Sequence, residues 1–138
     1  MAIIVDSNVI FDILLEDKNW FRWSSEMLSK YAEDNDLIIN QIIYSELSIR
    51  FSSIEELDQM IAESNLTYEQ LPWKAAFLAG KCYIKYKKES HSKTMILPDF
   101  YIGAHAAVTK RSLLTRDLRR YGHYFNGLKL ITPENETV

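Results

Sequence analysis

Ile3-Ile4-Val5-Asp6-Ser7-Asn8-Val9 stands at the head of the chain, and its reading decides the fold. Three β-branched residues in succession make a short strand buried on both faces, Asp6 and Ser7 end it as turn formers, and Val9 to Leu15 continues as a helix. The same grammar recurs downstream. Leu37-Ile38-Ile39 reads as a second strand, with Asn40 capping a helix that carries Ile42, Ile43 and Leu47. Between the two, Trp20, Trp23, Met27 and Tyr31 recur at helical spacing and predict a helix from Trp20 to about Glu33.

Beyond Leu47, Ser53 and Glu56 form a capping-box pattern ahead of Leu57, Met60 and Ile61. Residues 66–71 fit a short strand before Pro72. A long helix follows, with Trp73, Ala76, Phe77, Gly80, Tyr83 and Ile84 on one side, a stripe read as core or interface. Pro98 suits the first turn of a further helix through Gly103, Ala104, Ala106 and Ala107. Ser112 to Thr115 and Leu128 to Thr132 are the last two strands expected. Strands separated by helices predict an α/β fold, a three-layer α/β/α sandwich around a central, mainly parallel sheet.

The 138 residues, 47% hydrophobic and 25% charged with 4 Gly and 3 Pro, fit a single domain over residues 1–138. A lone cysteine, Cys82, permits no internal disulfide and suits a reducing cytoplasm. Asp6 and Asp12 break the apolar opening, so no signal peptide or membrane span is expected. The net charge of −3 hides an asymmetry. Residues 1–80 carry 5 basic and 14 acidic side chains, net −9, whereas residues 81–138 carry 11 basic and 5 acidic, net +6. An acidic pocket beside a basic face is the expectation. Lys81, Lys85, Lys87, Lys88 and Lys93 form one basic run, and Lys110, Arg111, Arg116, Arg119 and Arg120 another.

Ligands of a parallel sheet gather at the carboxyl ends of its strands. Asp6 and Asp117 both fall just past a strand end, Asp99 lies in the first turn after Pro98, and Glu46 borders the apolar side of its helix. Each acid alone has an ordinary explanation as a turn former, helix cap or surface residue. Four at four element boundaries point to one acidic centre. No paired histidine spacing suggests zinc, and no Gly-rich loop suggests a nucleotide cradle. His105, on an alanine-rich helix, reads as packed or at the surface.

Ile-Ile-Val-Asp6-Ser7-Asn8-Val, Ser45-Glu46-Leu47, Pro98-Asp99-Phe-Tyr-Ile-Gly-Ala-His-Ala and Leu-Leu-Thr115-Arg-Asp117 together resemble, in order and spacing, the motifs of PIN-domain ribonucleases. The closest likeness is to the VapC-like toxins of type II toxin–antitoxin pairs, and it runs from Ile3 to about Pro133. The segment after Glu46 lacks a glycine often seen nearby in that family. The resemblance implies an endoribonuclease that hydrolyses RNA phosphodiesters with a divalent cation, Asp6, Glu46, Asp99 and Asp117 being both catalytic groups and metal ligands. Ser7, Asn8 and Thr115 match polar positions beside that quartet. Crowded carboxylates repel, and a hard cation that prefers oxygen neutralises them, so Mg2+ or Mn2+ is the expected cofactor.

The toxin branch further implies a homodimer and a protein antitoxin lying over the active-site groove, with Trp20, Phe21 and Trp23 as interface candidates. Arg116, Arg119 and Arg120, and after them Lys85, Lys87 and Lys88, are the residues expected to meet RNA phosphates. Two other readings stay open. A receiver-like, magnesium-binding signalling domain wants adjacent acids after its first strand, where this chain has Asp6-Ser7-Asn8. A catalytically inactive PIN-fold binding module would not need the whole quartet.

Overall fold

The computed structural model of the chain describes residues 1–89, 94–117, 121 and 123–138. In chain order the elements are β1 (Ala2–Val5), α1 (Ser7–Leu14), α2 (Phe21–Ala32), β2 (Asp36–Ile39), α3 (Gln41–Ser48), α4 (Ile54–Glu63), β3 (Leu66–Tyr68), α5 (Trp73–Glu89), α6 (Leu97–Thr109), β4 (Ser112–Leu114) and β5 (Leu130–Ile131). The five strands form one sheet in the order β3-β2-β1-β4-β5, and every neighbouring pair is parallel. Helices cover both of its faces, the α/β/α arrangement expected of a chain whose strands are continuous apolar runs.

β1, at the centre, is the most deeply covered: Ile3, Ile4 and Val5 are buried, beside Ile39 on β2 and Leu113 and Leu114 on β4. Each such side chain contributes about 1.5–3 kcal/mol by leaving water. Asn40 caps α3 as expected, its Oδ1 accepting from the Ile43 amide at 3.0 Å, and Ser53 Oγ does the same for α4 from Glu56 N at 3.2 Å. No described helix is long and apolar enough to cross a membrane.

The early aromatics, expected at an interface, fall largely on the core side, and the α5 stripe, read as core or interface, turns its two largest rings outward. Trp23 is buried, its Nε1 donating 2.8 Å to the Glu136 carbonyl, and Trp20 packs edge-on against it. Of the three early aromatics only Phe21 remains exposed, at 40%. On α5 it is Ala75, Ala79 and Tyr86 that face the core, while Trp73 is 92% and Phe77 71% exposed. Helical spacing says which residues share a face; it does not say which way that face turns.

Candidate active site

The strand registers, extended by one residue, place Glu69, Asn40, Asp6, Thr115 and Thr132 side by side across the carboxyl edge of the sheet. Backbone bonds fasten that row. Glu69 N donates to Ile39 O, Asp6 N to Leu114 O and Thr115 N to Ile131 O, all at 2.9–3.0 Å. Except for Glu69, these residues are buried. A row of buried polar side chains at the mouth of an apolar sheet is costly unless each is satisfied or used.

Asp6 stands at the N-cap of α1, yet its carboxylate makes no cap hydrogen bond. Instead Oδ2 accepts from Thr115 Oγ1 at 2.8 Å, from the Tyr121 hydroxyl at 3.1 Å and from Asn8 Nδ2 at 3.4 Å. Asn8 Nδ2 also reaches Thr115 Oγ1 at 3.3 Å, and Thr115 Oγ1 accepts from Asp117 N at 3.1 Å. The neighbouring Ser7 donates 2.9 Å to Glu46 Oε1, which draws α3 towards α1. Asp6, Asn8, Thr115 and Asp117 are thus joined by one set of hydrogen bonds, and Ser7, next to Asp6 in the chain, brings Glu46 beside it, so three segments of chain meet here.

Asp99 reaches the same edge by topology. Only Lys110 and Arg111 separate α6 from the start of β4, so the helix ends at the amino edge of the sheet and its first turn lies towards the carboxyl edge. Asp99 is buried there, and its Oδ2 accepts from Ile96 N at 3.0 Å, so it also caps its helix. Among the described residues, no group of three or more Asp, Glu, His or Cys side chains is arranged to hold a metal ion. Hydrogen bonds tie Asp6 through Thr115 to the Asp117 backbone, Ser7 beside Asp6 holds Glu46, and Asp99 approaches from α6.

The sequence gives no sign of Tyr121, which is fully buried and donates to Asp6. Its approach depends on Gly103. A Cβ at that position would lie 2.4 Å from Phe125 Cε2 and 2.9 Å from Tyr121 Cδ1, so only glycine lets the two rings pass α6. Asp12 is a second unforeseen member. Its buried carboxylate accepts from Ser24 Oγ at 2.7 Å and from Arg116 Nε at 2.9 and 3.1 Å. A charged residue interrupting the apolar run of α1 one and a half turns after Asp6 was the available signal.

Arg116 therefore has its Nε committed to Asp12, with its guanidinium 5.7 Å from the Trp20 ring. Arg119, Arg120 and Lys93 lie outside the described residues. Lys85, Lys87 and Lys88 are exposed near the end of α5. The Tyr86 and Phe100 rings, 5.4 Å apart, and the Met95 N to Tyr86 hydroxyl bond of 2.8 Å hold that end beside the first turn of α6, where Asp99 sits.

His105 is wholly buried on α6. Asn40 Nδ2 lies 3.0 Å from His105 Nδ1, and His105 Nε2 lies 3.2 Å from Glu69 Oε2 without hydrogen-bond alignment. Arg111 Nη1 holds the same Glu69 oxygen at 2.7 Å. Burial lowers the pKa of His105 below the ordinary imidazole value, Glu69 works against that shift, and Arg111 adds to it.

A family model described as "PIN domain" matches residues 3–124. A search of curated proteins gives no match. Among solved structures, VapBC-1 from nontypeable Haemophilus influenzae superposes with a TM-score of 0.71 at 19% identity, covering 96% of this chain and 98% of that one. VapBC2 from Rickettsia felis, solved bound to a DNA fragment from its promoter, gives 0.70 at 18% identity with the same coverage. A toxin–antitoxin complex from Klebsiella pneumoniae gives 0.66 at 21% identity, again covering 96% and 98%. At these identities the likeness speaks for the fold.

Proposed function

The chain belongs to the PIN-domain family, and from that premise we propose that it is a divalent-metal-dependent endoribonuclease, the toxin of a toxin–antitoxin pair. The observation that carries the reading is the handling of Asp6. A carboxylate at a helix N-cap ordinarily accepts from the backbone amides of its own helix; this one is held instead by the side chains of Thr115, Tyr121 and Asn8 at the carboxyl edge of a parallel sheet. Buried placement of a charge by several donors is the mark of a group positioned for use.

The donor chemistry fits a hard cation. The groups at the edge are carboxylate and hydroxyl oxygens, with no thiolate or imidazole in the network, which favours Mg2+ or Mn2+ over zinc. Asp6, Glu46, Asp99 and Asp117 would hold the ion. When bound, it supplies a lowered pKa for an attacking water and neutralises charge on the scissile phosphate. The chain's own part is positional. Thr115 and Tyr121 fix the Asp6 carboxylate, Ser7 fixes Glu46, and the bond from Asp117 N to Thr115 Oγ1 ties the Asp117 backbone to the hydroxyl that holds Asp6. Lys85, Lys87 and Lys88 at the Asp99 end of α5 would take RNA phosphates; Arg116 serves the site chiefly through Asp12.

The direct test is a mixed RNA pool incubated with the protein and Mg2+ or Mn2+, and again in chelator. Cleavage with metal and none in chelator is the expected result. Intact RNA under both conditions, from folded protein, would favour the inactive binding module. A protein antitoxin and a cytoplasmic setting belong to the same reading, the solved neighbours named VapBC and toxin–antitoxin complex being its support.

We place the homodimer face on α5 and the end of β3, since Trp20 and Trp23 are spent on the core. A hollow of about 510 Å³, lined by Tyr44, Ile54, Asp58, Tyr68 and Gln70 among others, opens three residues before the exposed Trp73. In a two-fold dimer a projecting ring and a hollow on one patch exchange between copies. Lys74, next to Trp73, would then meet the acidic rim at Asp58. Sedimentation should show a dimer for the wild type at tens of micromolar and a monomer for Trp73→Ala, which should stay folded and melt lower only by the stabilisation that association gives the wild type. A wild-type monomer at that concentration overturns the dimer.

A further inference from the structure

Asn40 and His105 stand outside the acidic network, yet each is built into a helix that brings one of its acids. Asn40 caps α3, which carries Glu46; His105 lies on α6, which carries Asp99. In both helices six residues, about 9 Å of rise, separate the acid from the linked residue. Asn40 is 2% exposed and His105 not at all.

The chemistry of the contact is determined. Asn40 Oδ1 accepts from Ile43 N, so its Nδ2 is the group that faces His105 and donates to Nδ1 at 3.0 Å. His105 must then carry its proton on Nε2, the nitrogen that lies 3.2 Å from Glu69 Oε2. Glu69, fastened to β2 through Ile39 O and to Arg111 by the 2.7 Å ion pair, closes the far side. One side chain thus serves as both the cap of α3 and its tie to α6. A core histidine that merely filled space would need neither the cap residue nor a fixed tautomer.

We propose that the Asn40–His105 hydrogen bond braces α3 against α6 and sets the spacing at which Glu46 and Asp99 share a divalent cation, making Asn40 and His105 positioning residues of the site. The proposal rests on the metal-nuclease reading above. Groups that orient ligands from behind typically change metal affinity by about 10- to 100-fold when removed.

The test is direct titration of Mn2+ into metal-free protein, with melting temperature in chelator measured alongside, for the wild type, His105→Leu, His105→Gln and Asn40→Ser. His105→Leu should bind Mn2+ about 10- to 100-fold more weakly. His105→Gln, whose amide offers an acceptor on one atom and a donor on the other, should recover most of that loss. Asn40→Ser keeps a hydroxyl cap but falls short of His105; it should weaken Mn2+ like His105→Leu, and the double variant should be little worse than either. If His105→Leu fails to fold, the other two variants decide. Folded variants with wild-type Mn2+ affinity, beside a wild type that binds metal and cuts RNA, overturn the brace alone. A wild type that binds no Mn2+ overturns both the brace and the metal-nuclease reading.

Discussion

Asp6→Asn should leave a folded protein that no longer cuts RNA. Asparagine keeps the size of the side chain and one oxygen acceptor for the Thr115 and Tyr121 hydroxyls, which can rotate to suit it. What goes is the negative charge and a strong cation ligand at the centre of the network. Removing one preorganised electrostatic partner of a developing charge costs about 10²–10³ in turnover, and loss of a shared metal should carry the effect to that limit or past it. Melting in two buffers separates chemistry from folding. Excess Mn2+ should raise the wild-type melting temperature, because a ligand at about a hundred times its Kd stabilises by about 2.7 kcal/mol; Asp6→Asn should show little of that rise. In chelator the two proteins should melt within a few degrees of each other, since lost charge-assisted hydrogen bonds and relieved repulsion among the acids oppose one another. A folded Asp6→Asn protein with the wild-type cleavage rate would falsify the assignment.

The fold was largely legible because its two leading strands, β1 and β2, are short, rich in β-branched residues and buried on both faces. Ile3 to Val5 and Leu37 to Ile39 are runs that a parallel sheet needs and an exposed helix does not. The edges were less so. The final strand, expected over Leu128 to Thr132, is only Leu130–Ile131, because an edge strand with one partner needs few residues to pair. The α5 stripe had the right spacing, but spacing left core and interface both open: alanines at 75 and 79 allow close approach to α6, so the small face turns inward and Trp73 and Phe77 turn out.

Within the site, legibility followed sequence locality. Asp6, Ser7 and Asn8 are adjacent, and Thr115 and Asp117 nearly so, so their grouping at strand ends was readable. Tyr121 reaches Asp6 across 115 positions and through a gap that a single glycine leaves in α6. No periodicity encodes such a meeting. The same holds for Asn40 and His105, 65 residues apart: the helix cap was legible, but the second use of its amide was not.

Arg116 sharpens the point, because its position beside Asp117 suggests an RNA contact while the structure gives it an internal duty. Its Nε bonds both oxygens of Asp12, a carboxylate only 2% exposed whose other hydrogen-bond donor is the Ser24 hydroxyl. Removing one partner of a buried ion pair costs about 3–5 kcal/mol, since the remaining charge is stranded. The Arg116 side chain is 31% exposed, so water can enter behind it and the expected loss for Arg116→Met is somewhat smaller, about 2–4 kcal/mol. Pairing it with Asp12→Asn removes the stranded charge and should restore much of that stability, whereas two independent surface changes would simply add. An arginine whose main duty is an RNA phosphate behaves otherwise. Its loss would leave the melting temperature in place, weaken binding of an uncleavable RNA across sequences, and lower the salt slope by about one. Denaturant melts of the two single variants and the double, beside RNA binding at several salt concentrations, separate these outcomes. An unchanged melt with a reduced salt slope for Arg116→Met would transfer Arg116 from the architecture of the site to its RNA-binding surface.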